Sequence, residues 1–333
     1  PAHQGVHAFN QHTPRCSATE YAYKDMLWND PEVKAGDLKK FKLSHFSPGP
    51  GHVFARSSWD EDATPFFFHC GKRFTSHQHL DVGHFYIYKH EELAGEGGHY
   101  DSFGALHDTN YYIRTIAHNS MLIHDPGERW PQGIRAWKGE VGHDGGQAFP
   151  WVGTPVRHNG GSADVPHWYQ HRELLDTAEM LAFKDAGAFV YTAGDCTRAY
   201  SRKKLDYFTR QIVFLRPGTF VIFDRVRSTN AAFKKTWLLQ AMKPPLKTDT
   251  HLVITNGAAK LFVQTLLPQQ SEVKLNQRKE LYSYGGASYP PTVDTGPEAE
   301  CRVEISPAVA SQTDYFLHVL TAADATVENV PQA

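Results

Sequence analysis

The chain has 333 residues, 41% of them hydrophobic and 21% charged, with room for two or three domains and a sizeable buried core. Its 20 Phe and 15 Tyr exclude a disordered chain, and the apolar runs are too short to encode a transmembrane helix. Thirty-four Lys and Arg against 36 Asp and Glu leave a net charge of −2, so no global basic field exists for nucleic acid or anionic lipid, and a polyanionic substrate needs a local basic cleft.

Residues 1–45 read as a helical remnant followed by a linker. Tyr21–Lys42 mixes helix formers with an Asn29-Asp30-Pro31 break. The chain opens Pro-Ala-His-Gln-Gly-Val-His, without an initiator Met, a basic stretch or an apolar signal segment, which reads as a start inside a longer sequence. A Pro/Gly cluster at Ser47–Gly51 then gives way to runs rich in Val, Ile, Tyr, Phe and Thr. These predict strands at 52–58, 64–69, 84–89, 111–123, 189–192, 205–215, 219–226, 236–242, 252–255, 260–266, 302–305 and 315–320.

Arg216-Pro217-Gly218-Thr219 predicts a tight turn, with Pro at its second position and Gly free to take positive φ. Asn256-Gly257 predicts a two-residue hairpin. The Gly/Ser/His-rich stretch 142–167 predicts a long loop, of the length that is usually functional or mobile. Many strands with short connections and little helical periodicity predict a mainly β chain, an antiparallel multi-strand β-sandwich. We divide it into a sandwich domain over 46–245 and a C-terminal β-sheet region over 246–333.

Cys16, Cys70, Cys196 and Cys301 are too widely spaced for a CxxC motif, and Cys70, beside Phe66–Phe68, reads as a buried reduced thiol. Eighteen of the 20 histidines lie in residues 1–171, so the first half carries the chemistry. Its sharpest feature is Ser76-His77-Gln78-His79-Leu80-Asp81. On an extended strand His77, His79 and Asp81 share one face, as a metal site, an acid–base array or simply a solvated polar face. A cupin-type oxygenase follows HxH with Glu after three or four intervening residues; Gly83 and His84 stand there, so that motif is broken.

The wider pattern is more specific. SHQHLDVGHFYIYKHEELAGEGGHYDS and NYYIRTIAHNSMLIHDP, with ARSSWDEDATPFFFHCG before them and RQIVFLRPGTFVIFDRV after, closely resemble the heparinase II/III-like polysaccharide lyases in the family's order. The resemblance spans most of residues 46–226. It implies a supersandwich-type β core preceded by a large α/α toroid that forms the other wall of a substrate cleft. At matched positions it implies that His77 is catalytic, that His79, Glu96 and His118 hold one structural zinc ion, and that Tyr100 is a cleft residue. Glu96 stands where a member of that family has Asp, which lengthens the ligand arm by one methylene. Two imidazoles and a carboxylate are ordinary zinc donors.

The implied reaction is β-elimination on a uronic-acid glycan, most closely a heparin or heparan sulfate glycosaminoglycan. The sugar carboxylate is neutralised, a base takes the C5 proton and an acid protonates the departing O4. His77 would neutralise the carboxylate or handle the proton. Alternatives are an alginate or other uronan lyase on the same scaffold, or a non-catalytic sugar-binding β-module. The family's second catalytic His and a catalytic Tyr reside on the toroid, so the resemblance implies a partner chain or domain carrying it, and a secreted or periplasmic location. Of the remaining residues, Asp81 reads as an orienting group and Asn119 as a backbone holder. His84, His90, His107 and His124 read as surface or turn histidines, and His99 as cleft or structural. Arg114, Arg135 and Lys138 are candidate anion contacts, and Trp130 and Trp137 candidate sugar-stacking rings.

Overall fold

The structure is a computed structural model that describes residues 36–75, 77–128, 143–148, 162 and 164–330. Pro1–Leu43 and Ser44–Ala333 are separate compact units. In the first, the described residues hold a single 3-10 turn, Leu38–Lys40, whose first turn is capped by the Asp37 carboxylate accepting from the Lys39 amide at 2.9 Å. The helix expected within Tyr21–Lys42 lies outside the described residues as far as residue 35.

The second unit opens with β1 (Ser44–Ser47), β2 (His52–Arg56), β3 (Pro65–His69), β4 (Phe85–Lys89), β5 (Glu91–Ala94) and β6 (Met121–His124). Two short helices follow, α1 (Val165–Gln170) and α2 (Arg172–Leu175). Then come β7 (Glu179–Asp185), β8 (Phe189–Asp195), β9 (Leu205–Leu215), β10 (Thr219–Ser228), β11 (Lys234–Ala241), β12 (Leu246–Lys247), β13 (Leu252–Asn256) and β14 (Ala259–Leu267). The last are β15 (Ser271–Gln277), the small β16 (Ser283–Tyr284) and β17 (Ala287–Ser288) pair, β18 (Cys301–Pro307) and β19 (Thr313–Asp324).

All pairings are antiparallel. One sheet runs β1-β2-β3-β4-β5-β11-β18-β15, with β6 also on β11, and the other runs β12-β13-β14-β19-β10-β9-β8-β7. Among the described residues no helix is long and apolar enough to cross a membrane.

The core lies between the two sheets because each strand turns alternate side chains inward. β9 buries Phe208, Arg210, Ile212 and Phe214, and its hairpin partner β10 buries Phe220, Ile222, Asp224 and Val226. From the opposite sheet Phe66 reaches Phe220 at 5.2 Å and Phe214 at 6.0 Å between ring centroids. The β9–β10 turn holds Gly218 for space: a Cβ there would lie 2.5 Å from the Ala322 carbonyl oxygen. This corrects the positive φ expected at Gly218, whose φ is not in the left-handed region. In the β13–β14 hairpin Asn256 pairs with Ala259, so the two turn residues are Gly257, at φ +53°, and Ala258.

Three further expectations are corrected. Residues 246–333 do not form a region of their own: β12, β13, β14 and β19 build one sheet and β15 and β18 the other, beside earlier strands. The segment 77–81 is a loop, not a strand. The run 111–123 breaks into a π-helical turn (Asp108–Tyr112), a 3-10 turn (Thr115–Ala117) and only then β6.

Candidate functional site

The first sheet also turns a set of side chains away from the core. On β2, β3 and β4 these include His52, Phe54, Phe67, His69 and Tyr86. Their rings form a row: His52 lies 5.1 Å from Phe67 and 4.9 Å from His69, and Tyr86 lies 6.3 Å from Phe67 and 4.8 Å from His84. At the end of this row two loops fold over the sheet, one entering β4 and one joining β5 to β6.

The first loop is held by a buried cation. Arg73 donates to the carbonyls of Gln78 at 2.8 Å and His79 at 3.0 Å, while the Gln78 side-chain oxygen accepts from the amides of Phe74 at 2.6 Å and Thr75 at 2.8 Å. Backbone groups that a strand would spend on a neighbour are satisfied within the loop, which is why the alternating polar pattern does not extend. His77 sits at its tip, exposed, at φ +65°, a left-handed conformation uncommon for a residue with a Cβ.

Three residues converge beneath it. His79 comes from this loop, Glu96 from just beyond β5 and His118 from the end of the 3-10 turn, so all three sit on loops rather than on β-segments. Their ligand-capable atoms all lie within 4.8 Å of one another. His118 Nδ1 is 3.5 Å from Glu96 Oε1, and the His79 and His118 rings are 5.1 Å apart.

The electrostatics suit a cation. His118 is fully buried and neither ring nitrogen has a hydrogen-bond partner. Burial, then neighbouring His79, hold its imidazole well below the usual histidine range, so it is neutral with a lone pair to give. His79 is lowered chiefly by burial. Burial, then the charges of Asp81 and Glu92, push the Glu96 carboxyl up to about 8, the response of a carboxylate that lacks a positive partner. Orphaned buried donors are rare unless something fills the site. The set therefore fits a divalent ion of zinc's preferences, with three protein ligands and one position remaining.

Around the cluster several polar groups are paired, while His69 Nε2, His84 Nε2 and Gln240 Oε1 have no hydrogen-bond partner among the described residues. Asn119 donates from Nδ2 to the carbonyls of Phe85 at 2.7 Å and Gly95 at 3.0 Å, and its Oδ1 accepts the Gln240 amide at 2.6 Å. This pins the residue after His118 to β4, to the segment after β5, and to β11, the backbone-holding role expected of it. Arg210 reaches across from β9: its Nη1 donates to the carbonyls of Gly83 and Asn119, while its other nitrogens form a two-pronged pair with Asp224 at 2.8 and 2.6 Å. The RQIV and FDRV segments thus meet in space to hold the two site loops from inside the core. Asp81 orients a histidine, His69 Nδ1 lying 3.2 Å from its Oδ2; although burial opposes it, His69 holds the Asp81 carboxyl well below the usual range.

Sequence reasoning missed His69 and His84. His84 is buried, not a surface or turn residue. Its Nδ1 accepts the Asn119 amide at 2.9 Å, which places the proton of the neutral ring on Nε2, and Nε2 lies 3.8 Å from Glu96 Oε1. Only the pairing of β3 with β4 brings it there. His107 is likewise buried, with Nδ1 2.6 Å from the Tyr289 carbonyl. His90 and His124 do lie on the surface.

The two candidate catalytic residues flank the cluster rather than join it. His77 neighbours Phe103 at 5.7 Å between rings. Tyr100 is 44% exposed and 6.4 Å from Tyr112, which in turn packs edge-on to His79 at 4.7 Å. His99 is buried, 3.9 Å from Glu298, and lines a cavity of about 620 Å³. Arg114 is not an anion contact: it is fully buried and paired with Asp144. Trp130, Arg135, Trp137, Lys138 and most of the loop expected over 142–167 lie outside the described residues.

No protein-family model matches the chain, and no curated protein does. Solved structures do. A heparinase III gene product superposes at a TM-score of 0.61 over 96% of this chain, with 14% identity. The heparan sulfate lyase of Pedobacter heparinus gives 0.58 over 98%, with 15% identity, and a further heparinase III gives 0.53 over 85%, with 13% identity. The chain therefore has the fold found in these polysaccharide lyases. It spans about 41% of the length of the first of them and 42% and 37% of the other two.

Proposed function

We propose that this chain is the β-sandwich portion of a polysaccharide lyase that cleaves uronic-acid glycans by β-elimination, with a heparan-sulfate-type glycosaminoglycan as substrate. The observation that carries the reading is the juxtaposition of an exposed, conformationally strained His77 with the convergent set His79, Glu96 and His118, of which His118 is buried with both ring nitrogens unpartnered. The shared fold with heparinase III and a heparan sulfate lyase supports the substrate class.

In this reading His79, Glu96 and His118 would hold a zinc ion whose contribution is charge and rigidity, offsetting the Glu96 carboxylate and tying the two site loops together. The chemistry falls to the exposed side chains. The imidazole of His77 neutralises the sugar carboxylate or takes the C5 proton, roles for which an imidazole is suited near neutral pH. The phenol of Tyr100, on the neighbouring loop, is the group available for proton transfer to or from the sugar. His84 Nε2 faces Glu96 Oε1 at 3.8 Å, outside hydrogen-bond distance but placed to orient it once the carboxylate is ligating, as outer groups commonly do. In this reading a helical domain outside this chain supplies the opposite wall of the cleft, in keeping with the chain spanning about 41% of the first matched structure.

The test uses the complete enzyme, with the helical domain present, and follows the ultraviolet absorbance of the unsaturated uronate product from heparan sulfate, alginate and chondroitin sulfate. His77→Ala is expected to lower kcat by at least about 100-fold while leaving the melting temperature unchanged. Full activity in that variant contradicts the assignment, and turnover of alginate alone moves the enzyme to another substrate.

A further inference from the structure

A second feature lies away from the histidine cluster, inside the sandwich. Cys70 follows β3 in one sheet and Cys196 follows β8 in the other, and their sulfurs meet across the core at 3.8 Å. Both residues are buried, with exposures of 1% and 0%. Their backbones are fixed: the Cys70 amide donates to Gly51 at 2.9 Å and the Cys196 amide to Phe208 at 2.9 Å. Space for the Cys70 sulfur is made by a glycine, since a Cβ on Gly194 would lie 2.3 Å from it. The other polar neighbours of that sulfur are two carbonyls at 3.7 Å, weak partners for a thiol. The two sulfurs are thus in van der Waals contact, and a disulfide bond of about 2.05 Å needs them to close by less than about 2 Å.

We propose that Cys70 and Cys196 are a covalent cross-linking site between the two sheets, forming an intramolecular disulfide when the chain meets a small-molecule disulfide such as oxidised glutathione. In the first exchange one cysteine thiolate attacks a glutathione sulfur, forming a mixed disulfide and expelling one glutathione thiolate. The second cysteine thiolate then attacks the protein sulfur of that mixed disulfide, closing the Cys70–Cys196 bond and expelling the second glutathione. Two protein thiols are oxidised, one glutathione disulfide is reduced, and the two protons end on the released thiols.

Burial, together with the neighbouring Cys70, keeps the Cys196 thiol well above the usual range, so exchange in the folded chain is slow and proceeds through local opening. The bond spans 126 residues, and His77, His79, Glu96 and His118 all lie within the closed segment. Oxidation would therefore tether the site-bearing half of the first sheet to the second without touching a site residue.

The full chain is incubated with oxidised glutathione, unfolded in the presence of N-ethylmaleimide and weighed intact, then digested for peptide mapping. The expected result is two alkylated thiols of the four, with a linked Cys70–Cys196 peptide. The melting temperature of the oxidised chain should exceed that of the reduced chain by roughly 5–10 °C, a difference abolished by dithiothreitol and absent in Cys70→Ala. Four alkylated thiols after exhaustive oxidation, or a linkage between other cysteines, overturns the proposal. The mass and peptide map are read on the unmutated chain, so they decide the question even if Cys70→Ala does not fold.

Discussion

Two buried polar clusters sit within a few residues of each other, and they are built on opposite terms. In the first, Arg210 spends its guanidinium on Asp224 and on the carbonyls of Gly83 and Asn119, and both charges are satisfied within the protein. In the second, His79, Glu96 and His118 face one another with both His118 nitrogens unpartnered and a carboxyl raised by burial among like charges. The same core that completes one network leaves the next one open. A buried polar group without a partner costs about 1–3 kcal/mol, so the two unpartnered His118 nitrogens are where a bound cation would contribute most in the proposed reading. The closed cluster positions, and in the proposed reading the open one binds.

The contrast can be broken at either end. The largest effect is expected at the closed cluster. Arg210→Met leaves Asp224 buried without its cation and frees the carbonyls beneath both site loops. Chemical denaturation should show a loss of about 3–5 kcal/mol. A loss under about 1 kcal/mol would mean that the pair does not hold the sandwich and its loops together. At the open cluster, His84→Gln should fold normally yet bind zinc about 10–100-fold more weakly by calorimetric titration, because Glu96 loses the donor that faces it. Unchanged affinity would reduce His84 to packing.

The smallest effect separates a histidine of the core from those of the site. His318 stacks on Trp237 at 3.9 Å, and burial followed by the charge of Arg210 lowers its pKa to about 3. Below about pH 6.5 the unfolded chain takes up a proton that the folded chain refuses. Its stabilisation is therefore complete above that pH and is lost as pH falls toward 3, by up to about 1.4 kcal/mol per unit. His318→Leu should flatten the pH dependence of stability over that window by close to one proton; an unaltered slope would place the acid sensitivity elsewhere.

The strands that bury one full face were legible residue by residue. β9 runs Leu205–Leu215, as its alternation requires, and β10 and β11 are found within two residues of expectation. β7 and β15 were not legible, because they are edge strands whose side chains are largely exposed or half-exposed; β15 is mainly polar, and in β7 the apolar residues 180–183 run together without alternating. The alternation of His77, His79 and Asp81 imitates a strand, but Arg73 and Gln78 capture the backbone groups that would have paired. The stretch 111–123 fails for a related reason: Thr115, Asn119 and Ser120 hydrogen-bond to main chain from other segments and hold the run in turns. At the site, His79, Glu96 and His118 were readable through a family resemblance, and the structure brings them together. His84 and His69 were unreadable, since their placement depends on strand pairing that no local pattern encodes.

The open cluster is the proposed metal site, and metal content measures that directly. The chain, purified, dialysed against chelator and then equilibrated with zinc, is assayed by elemental analysis beside His118→Ala. One tightly held zinc per chain, lost in the variant while both remain folded, is the predicted result. A folded chain that takes up no zinc, or a His118→Ala variant that retains a full equivalent, would contradict it.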